Sequence, residues 1–256
     1  MRATLVALAI GLIAPASAVA QAPHVVASAN GATARSSANE GEIISCGPTG
    51  CTSAITAPAR APETWDGELP VSGRTVIEVT FARPVNLLGA EVSNRFLQRI
   101  AVANVERVDD RHYRVTLPED APPDEAALEL HESWEGDDSS GRHNTVTRTD
   151  FIGLEAAAAV TNARQRRRGG GVVADVQMRT SGLLDARLEF GRKTLGQKST
   201  NLASPRTLRL SVPLSRGARR LLARRHTLKA TLTVSVRPPS GAALPIEQTV
   251  TLRAKR

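Results

Sequence analysis

Between Thr207 and Val236 the chain changes its hydrophobic period twice. Leu208, Leu210, Val212 and Leu214 alternate with Thr207, Arg209, Ser211 and Pro213, the two-residue repeat of a strand with one buried face. From Leu214 the repeat lengthens. At about 100° per residue, Leu214, Ala218, Leu221 and Leu222 share one side of a helix and Arg216, Arg219, Arg220 and Arg224 the other. Ser215 stands where an N-cap is wanted, and Arg224 and Arg225 suit the negative C-terminal end. The two-residue repeat then returns: Leu228, Ala230, Leu232, Val234 and Val236 face one way, Lys229, Thr231, Thr233, Ser235 and Arg237 the other. These patterns predict a short helix carried over the end of a sandwich, joining strands of opposite sheets.

The same alternation, weaker and interrupted, fills the first half. Runs at 41–46, 51–57, 73–81, 87–92, 100–108, 111–117, 126–134 and 145–151 predict about eight short strands with turn residues between them, the pattern of an antiparallel sandwich. Residues 100–108 and 111–117 form a hairpin over Asp109 and Asp110, and 58–70 is a Pro-rich loop. Further on, 172–180 and 183–190 read as a hairpin turning at Ser181 and Gly182, and 194–199 and 246–253 supply further strands. With one strand in the linker the second half has seven, the helix falling between the fifth and sixth. The expected fold is all-β: two antiparallel sandwiches, the second immunoglobulin-like.

The ends of the chain read differently. Arg2, the apolar run Leu5 to Ile13 and the A-x-A site Ala18-Val19-Ala20 predict a signal peptide over 1–20, cleaved before Gln21. No later stretch is long and apolar enough to span a bilayer, so the mature chain is expected outside the membrane, secreted or held at the cell surface. Residues 21–40, rich in Ala, Ser, Asn and Thr and without periodicity, read as a flexible leader. The first domain then covers 41–152, a linker with its first strand 153–171, and the second domain 172–256. Cys46 and Cys51, in CGPTGC, are the two cysteines; in an exported chain such a pair is expected to close a local disulfide rather than a redox or zinc site.

Charge divides the chain at the same place. Residues 1–155 hold 12 Lys or Arg against 21 Asp or Glu, a net −9; residues 156–256 hold 21 against 4, a net +17. Such a division implies a contact between the halves, or between the basic half and an acidic polymer.

At this point a resemblance can be given. VVADVQMRTSGLLDARLEFGRKTLGQKST, TLRLSVPLSRGARRLLARRHTLKATLTVSV and QTVTLRAKR resemble the immunoglobulin-like or fibronectin-III-like modules of secreted actinobacterial proteins, over about residues 155–256. The resemblance implies an extracellular structural or adhesive module, with no catalytic residues to carry over. The half lacks the long-range cysteine pair and inter-sheet tryptophan of antibody domains.

Candidate chemistry is sparse. No Ser elbow or Ser-x-x-Lys set with partners is present, so an enzyme is the least favoured class and no cofactor is called for. HESWEGDDSSGRH gathers His131, Glu132, Glu135, Asp137, Asp138 and His143, but its spacing fits neither an EF-hand loop nor a zinc pair; the loop Glu135 to Asn144 reads as a solvated hairpin tip rather than a Ca²⁺ or other metal site. Trp134 beside it is either a sugar platform or a rim residue. The sharpest candidate is basic: Arg164, Arg166, Arg167 and Arg168 in the linker with Arg216, Arg219, Arg220 and Arg224 on the helix, a set suited to an anionic wall or extracellular polymer. Specific nucleic-acid binding is not expected, because single strands want aromatic platforms and the second half has Phe190 alone. The competing readings are a surface arginine set that merely answers the acidic first domain, and a module whose partner is another surface protein.

Overall fold

The computed structural model describes residues 25–47, 50–55, 65–94, 96, 98–119, 126–137, 143–166 and 170–254, with the backbone alone at 37–47, 50–55, 136–137 and 143–144. The expected signal peptide lies outside the described residues, as do Arg167 and Arg168. The fold is all-β, two sandwiches with separate cores and one short helix.

The first sandwich contains β1 (Val25–Ala29), β2 (Ala32–Arg35), β3 (Ser37–Gly47), β4 (Gly50–Ile55), β5 (Glu68–Val71), β6 (Val76–Phe81), β7 (Asn86–Asn94), β8 (Arg99–Arg107), β9 (His112–Thr116), β10 (Ala126–Asp137) and β11 (His143–Ala156). Their hydrogen-bonded order is β2-β1-β6-β9-β8-β7-β10-β11-β3-β4. The ladder doubles back at β8, whose Ala101 to Ala103 pair with β7 while Asn104 to Arg107 pair with β9. One strand thus belongs to both faces. Between them lie Phe81, Ile77, Leu128, Leu130, Ile152 and Leu154, all wholly buried. The Phe81 and Tyr113 rings meet edge to face at 5.7 Å, and the Tyr113 hydroxyl donates to the Val85 carbonyl at 2.6 Å, so the one polar atom of that pair is satisfied in the core.

Three expectations need correction here. The stretch 21–40 is not a leader throughout: β1, β2 and the start of β3 occupy it, and β1 pairs with the central strand β6. The turn between β1 and β2 is Asn30-Gly31, both with positive φ (51° and 83°), the conformation of a two-residue hairpin turn. The Pro-rich loop contains β5, which runs parallel to the last turn-ward residues of β11, the one parallel pairing among the described strands. And β11 continues to Ala156, so the linker shrinks to Ala157 before β12 begins.

The second sandwich is built from β12 (Ala158–Gln165), β13 (Gly171–Met178), β14 (Gly182–Phe190), β15 (Lys193–Leu202), β16 (Arg206–Pro213), α1 (Arg216–Arg225), β17 (Thr227–Arg237) and β18 (Leu244–Arg253). A three-stranded sheet, β12-β13-β16, faces a four-stranded one, β15-β14-β17-β18. The helix lies between the fifth and sixth of these strands, Ser215 accepts from the Ala218 N–H at 3.1 Å as its N-cap, and Ala218 and Leu222 are its buried residues. The expected β13–β14 hairpin is instead a crossing between sheets. Val176 and Met178 still face Leu184 and Leu188, but through the core rather than along a ladder.

The two sandwiches are joined by more than their single connecting residue. Ala157 donates to the Val71 carbonyl at 2.9 Å and accepts from the Arg179 N–H at 3.0 Å. The turn between β17 and β18 lies against the first domain: Ser240 N–H donates to Asn30 Oδ1 (2.9 Å), Val76 N–H to Ser240 Oγ (2.9 Å), Ser72 Oγ to the Ala242 carbonyl (2.8 Å) and Ala242 N–H to the Gly73 carbonyl (2.6 Å). Thr180 Oγ1 adds a bond to the Asn30 carbonyl at 3.1 Å. Ser72, Thr75 and Thr180 are buried, so these bonds are shielded from water and rupturing them leaves polar groups without solvent to turn to. Gly241 permits the contact. Its φ of +113° disfavours any side chain, and a Cβ there would stand 2.5 Å from Ser72 Oγ and 2.6 Å from Thr75 Oγ1.

Gly241→Val should therefore weaken the junction by about 1–3 kcal/mol while leaving both cores intact. Calorimetry should show one unfolding transition separating into two, and small-angle scattering a larger radius. A variant that melts and scatters like its parent would mean that this turn does not hold the domains together.

Candidate functional site

The strand registers sort the second domain into two poles. Gly171 lies opposite Pro213, Phe190 opposite Lys193 and Thr227 opposite Arg253, so the end of β12, the start of β13, the helix and the end of β18 share one pole. Gly182 opposite Leu202 and Val236 opposite Leu244 define the other, beside Thr180 and Ser240 at the junction. Strand β17, 11 residues long, runs between the poles, which puts them about 35 Å apart.

The six expected basic residues that are described stand at the pole away from the junction. Arg216, Arg219, Arg220 and Arg224 are exposed on α1, and Arg164 and Arg166 are exposed at the end of β12. The turn that carries Arg166 is tied to the helix start: the Arg166 N–H donates to the Gly171 carbonyl at 2.9 Å and the Leu214 N–H to the Gly170 carbonyl at 3.2 Å. Gln165 and Arg253 exchange two hydrogen bonds of 2.8 and 2.9 Å, closing the same pole between β12 and β18. Arg192, Lys193, Arg225 and Arg253 add to the set, all exposed. Among the described residues none of these cations has a carboxylate within ion-pair distance.

The arginines do not act as one cluster. Arg164 and Arg166, with Gln165, Val173 and Arg209, line a groove of about 540 Å³ that runs from the pole onto the outer face of the three-stranded sheet. The helix arginines stand beside it, not within it. In sequence Arg209 is an ordinary outward strand position; only its register, two residues of β16 beyond the Val173–Ser211 pair, shows that it joins Arg164. Two side chains are partly engaged: Arg219 Nε donates to the Leu214 carbonyl at 3.1 Å, and the Arg225 guanidinium lies 5.7 Å over the Phe190 ring.

Strand takes up both ends of the hairpin tip expected over Glu135 to Asn144. Strand β10 runs through it to Asp137, which pairs with His143; residues 138–142 lie outside the described residues. Alternation along β10 turns Leu128, Leu130, Glu132 and Trp134 inward and Glu129, His131 and Ser133 outward. Trp134 is 5% exposed with the Arg83 guanidinium 4.4 Å from its ring centroid, which removes it as a sugar platform. Glu132 is wholly buried, as is Asp150, to which Arg148 donates at 2.9 Å. Burial first, and then the Asp150 carboxylate, push Glu132 up to about 9 against the pull of Arg148 and Arg83. Glu132 is thus a neutral acid at physiological pH.

No family model matches the sequence, and no curated protein does. A solved structure that aligns with it is that of a DUF4785 family protein from Legionella pneumophila subsp. pneumophila str. Philadelphia 1, 11% identical over 90% of this chain and 84% of that one, with a TM-score of 0.30. A likeness at that level assigns neither fold nor activity. Among the described residues no helix is long and apolar enough to cross a membrane.

The burial of Glu132 has a pH signature. Its value in the folded chain, about 9, stands above the ordinary 4.5, so folding takes up a proton between the two. The stability it lends is complete below the lower value and falls steadily as pH rises to the upper one. Glu132→Gln, which keeps a neutral side chain of the same shape, should flatten that decline, seen as a urea midpoint that drops less between about pH 5 and pH 9 than the parent's. Equal slopes in the two proteins would show that Glu132 is already ionised in the fold.

Proposed function

We propose that the chain is an exported, non-enzymatic binding module that holds an anionic polymer, such as a wall teichoic acid, on the far pole of its second domain. One observation carries the reading: exposed arginines that form no ion pair among the described residues gather at the pole away from the acidic domain. At about 35 Å the first domain lies several Debye lengths off, the Debye length being about 8 Å at physiological ionic strength, so it cannot neutralise them. The positive field therefore points outward. Arg164, Arg166 and Arg209 offer a groove for a phosphate-bearing backbone, and the helix arginines extend it.

Other features agree with export. The first 20 residues have the charge, apolar run and small-residue site of a secretory signal. Cys46 and Cys51 lie directly opposite one another across the β3–β4 hairpin, the placement from which an oxidising compartment would close a bridge. The three-plus-four arrangement of the second domain supports its kinship with immunoglobulin-like or fibronectin-III-like modules. The second reading, a structural or adhesive contact with another surface protein, draws on the exposed apolar residues Leu88, Phe96 and Val102 of the first domain.

The mature protein should be retained on heparin or a teichoic acid resin at low salt and released as salt rises. Arg216→Glu, Arg220→Glu and Arg224→Glu together should lower the slope of log affinity against log salt by about three. Passage through the resin at low salt would overturn the reading. Retention indifferent to both salt and charge reversal would favour the protein partner.

A further inference from the structure

The outward face of β10 carries a second constellation, unrelated to the basic pole. Glu129 and His131 lie two residues apart on that face, and Glu129 is the direct cross-strand partner of Glu91 on β7. One ligand atom from each of Glu91, Glu129 and His131 lies within 4.8 Å of the other two. All three side chains are partly buried. Like charges set directly opposite on a sheet repel, and here the repulsion is only partly answered. Arg99 donates to Glu91 at 3.1 Å, but Glu129 has an oxygen that is closed to solvent and accepts no hydrogen bond. A carboxylate oxygen without water or donor is unfavourable unless a cation meets it.

The histidine is oriented for the same purpose. Its Nδ1 sits 3.1 Å from Thr149 Oγ1 on β11, which fixes the ring and leaves Nε2 for another partner. Across from His131 on β7 stands Gly89, with open space where a side chain would be, so the imidazole has room to lean toward the carboxylates. We propose that Glu91, Glu129 and His131 form a binding site for a first-row divalent transition ion, with Zn²⁺ its natural probe. One imidazole and two carboxylates provide three ligands of the kind zinc takes and leave a fourth position open to water or to a donor from a partner. The ligand atoms lie within 4.8 Å of one another, close enough for small side-chain rotations to bring them into one coordination shell. Neighbouring β8 presents Val102, 62% exposed, directly opposite Glu91, so the open position borders an apolar rim.

Isothermal titration of the EDTA-treated mature chain with ZnCl₂ should show one site, and His131→Gln and Glu129→Gln should each weaken it by about tenfold or more. Thr149→Val should weaken it less, by losing the ring's support. Arg99→Gln should tighten it, because the arginine competes for Glu91, an effect that no merely structural role of these residues predicts. The Cys46→Ser, Cys51→Ser double variant should bind as the parent does, separating this site from thiol binding. Co²⁺ should report the same site through a visible ligand-field band that disappears in His131→Gln, which keeps the test open if a variant is poorly soluble. Absence of heat and of a cobalt band, or Zn²⁺ binding undiminished in His131→Gln, would overturn the proposal.

Discussion

Ala157 is the whole of the chain between two hydrophobic cores, and the hydrogen bonds around it decide what the protein can present to a partner. A one-residue connection limits how far the domains can part, yet it does not by itself set their angle. The angle comes from the turn Ser240 to Ala242, seated on Asn30, Ser72, Gly73 and Val76. Each such bond contributes only about 0.5–1.5 kcal/mol net, but several made together in a buried seam resist separation, because breaking any one exposes or orphans its neighbours. The seam occupies one pole of the second sandwich. Its strands then carry the other pole, with the helix and the exposed arginines, as far from the acidic domain as the domain's length allows.

The second sandwich was legible in the sequence because the strand after its helix follows one rule from end to end. That strand, β17, has a single buried face, so hydrophobic and polar positions alternate without exception from Leu228 to Val236, and the change of period at Leu214 marks the helix. What the pattern could not show was partnership. Val172 to Met178 and Leu184 to Leu188 look alike whether they pair along a ladder or face each other through a core, and short spacing suggested the hairpin. Gly182, whose Cβ would stand 2.3 Å from the Arg237 carbonyl, serves the crossing between sheets.

In the first sandwich the failures are of a different kind. Val25 to Ala29 is small and mildly apolar, and its composition resembles a disordered leader; the strong local signal was instead the dipeptide Asn30-Gly31 between two short alternating runs. Strand β5 gives no such signal. Its four residues include Pro70, and they form a strand only because the last residues of β11 offer a parallel partner. The basic pole was half visible: the helix arginines follow from periodicity, but the groove does not, since Arg164 and Arg209 meet through the registers of β12, β13 and β16 over a separation of 45 residues.

His131 and Glu132 show most sharply why adjacency in sequence misleads in a sheet protein. Read as a run of charge they belong to one solvated tip, and any chemistry assigned to them would be shared. The pleat sends them to opposite faces of β10. Glu132 enters the core among Arg83, Arg148, Asp150 and Trp134, where desolvation holds a proton on it. His131 emerges beside Glu129 and Glu91, where Arg99 answers Glu91 but one Glu129 oxygen is closed to solvent and accepts no hydrogen bond. Two residues with similar prospects in solution thus acquire opposite ones: the acid is neutralised by burial, while the histidine joins a partly buried pair of acids that Arg99 answers on one side only. The strand decides between these environments by parity alone, so moving the register by a single residue would exchange the buried acid for the histidine and abolish both arrangements at once.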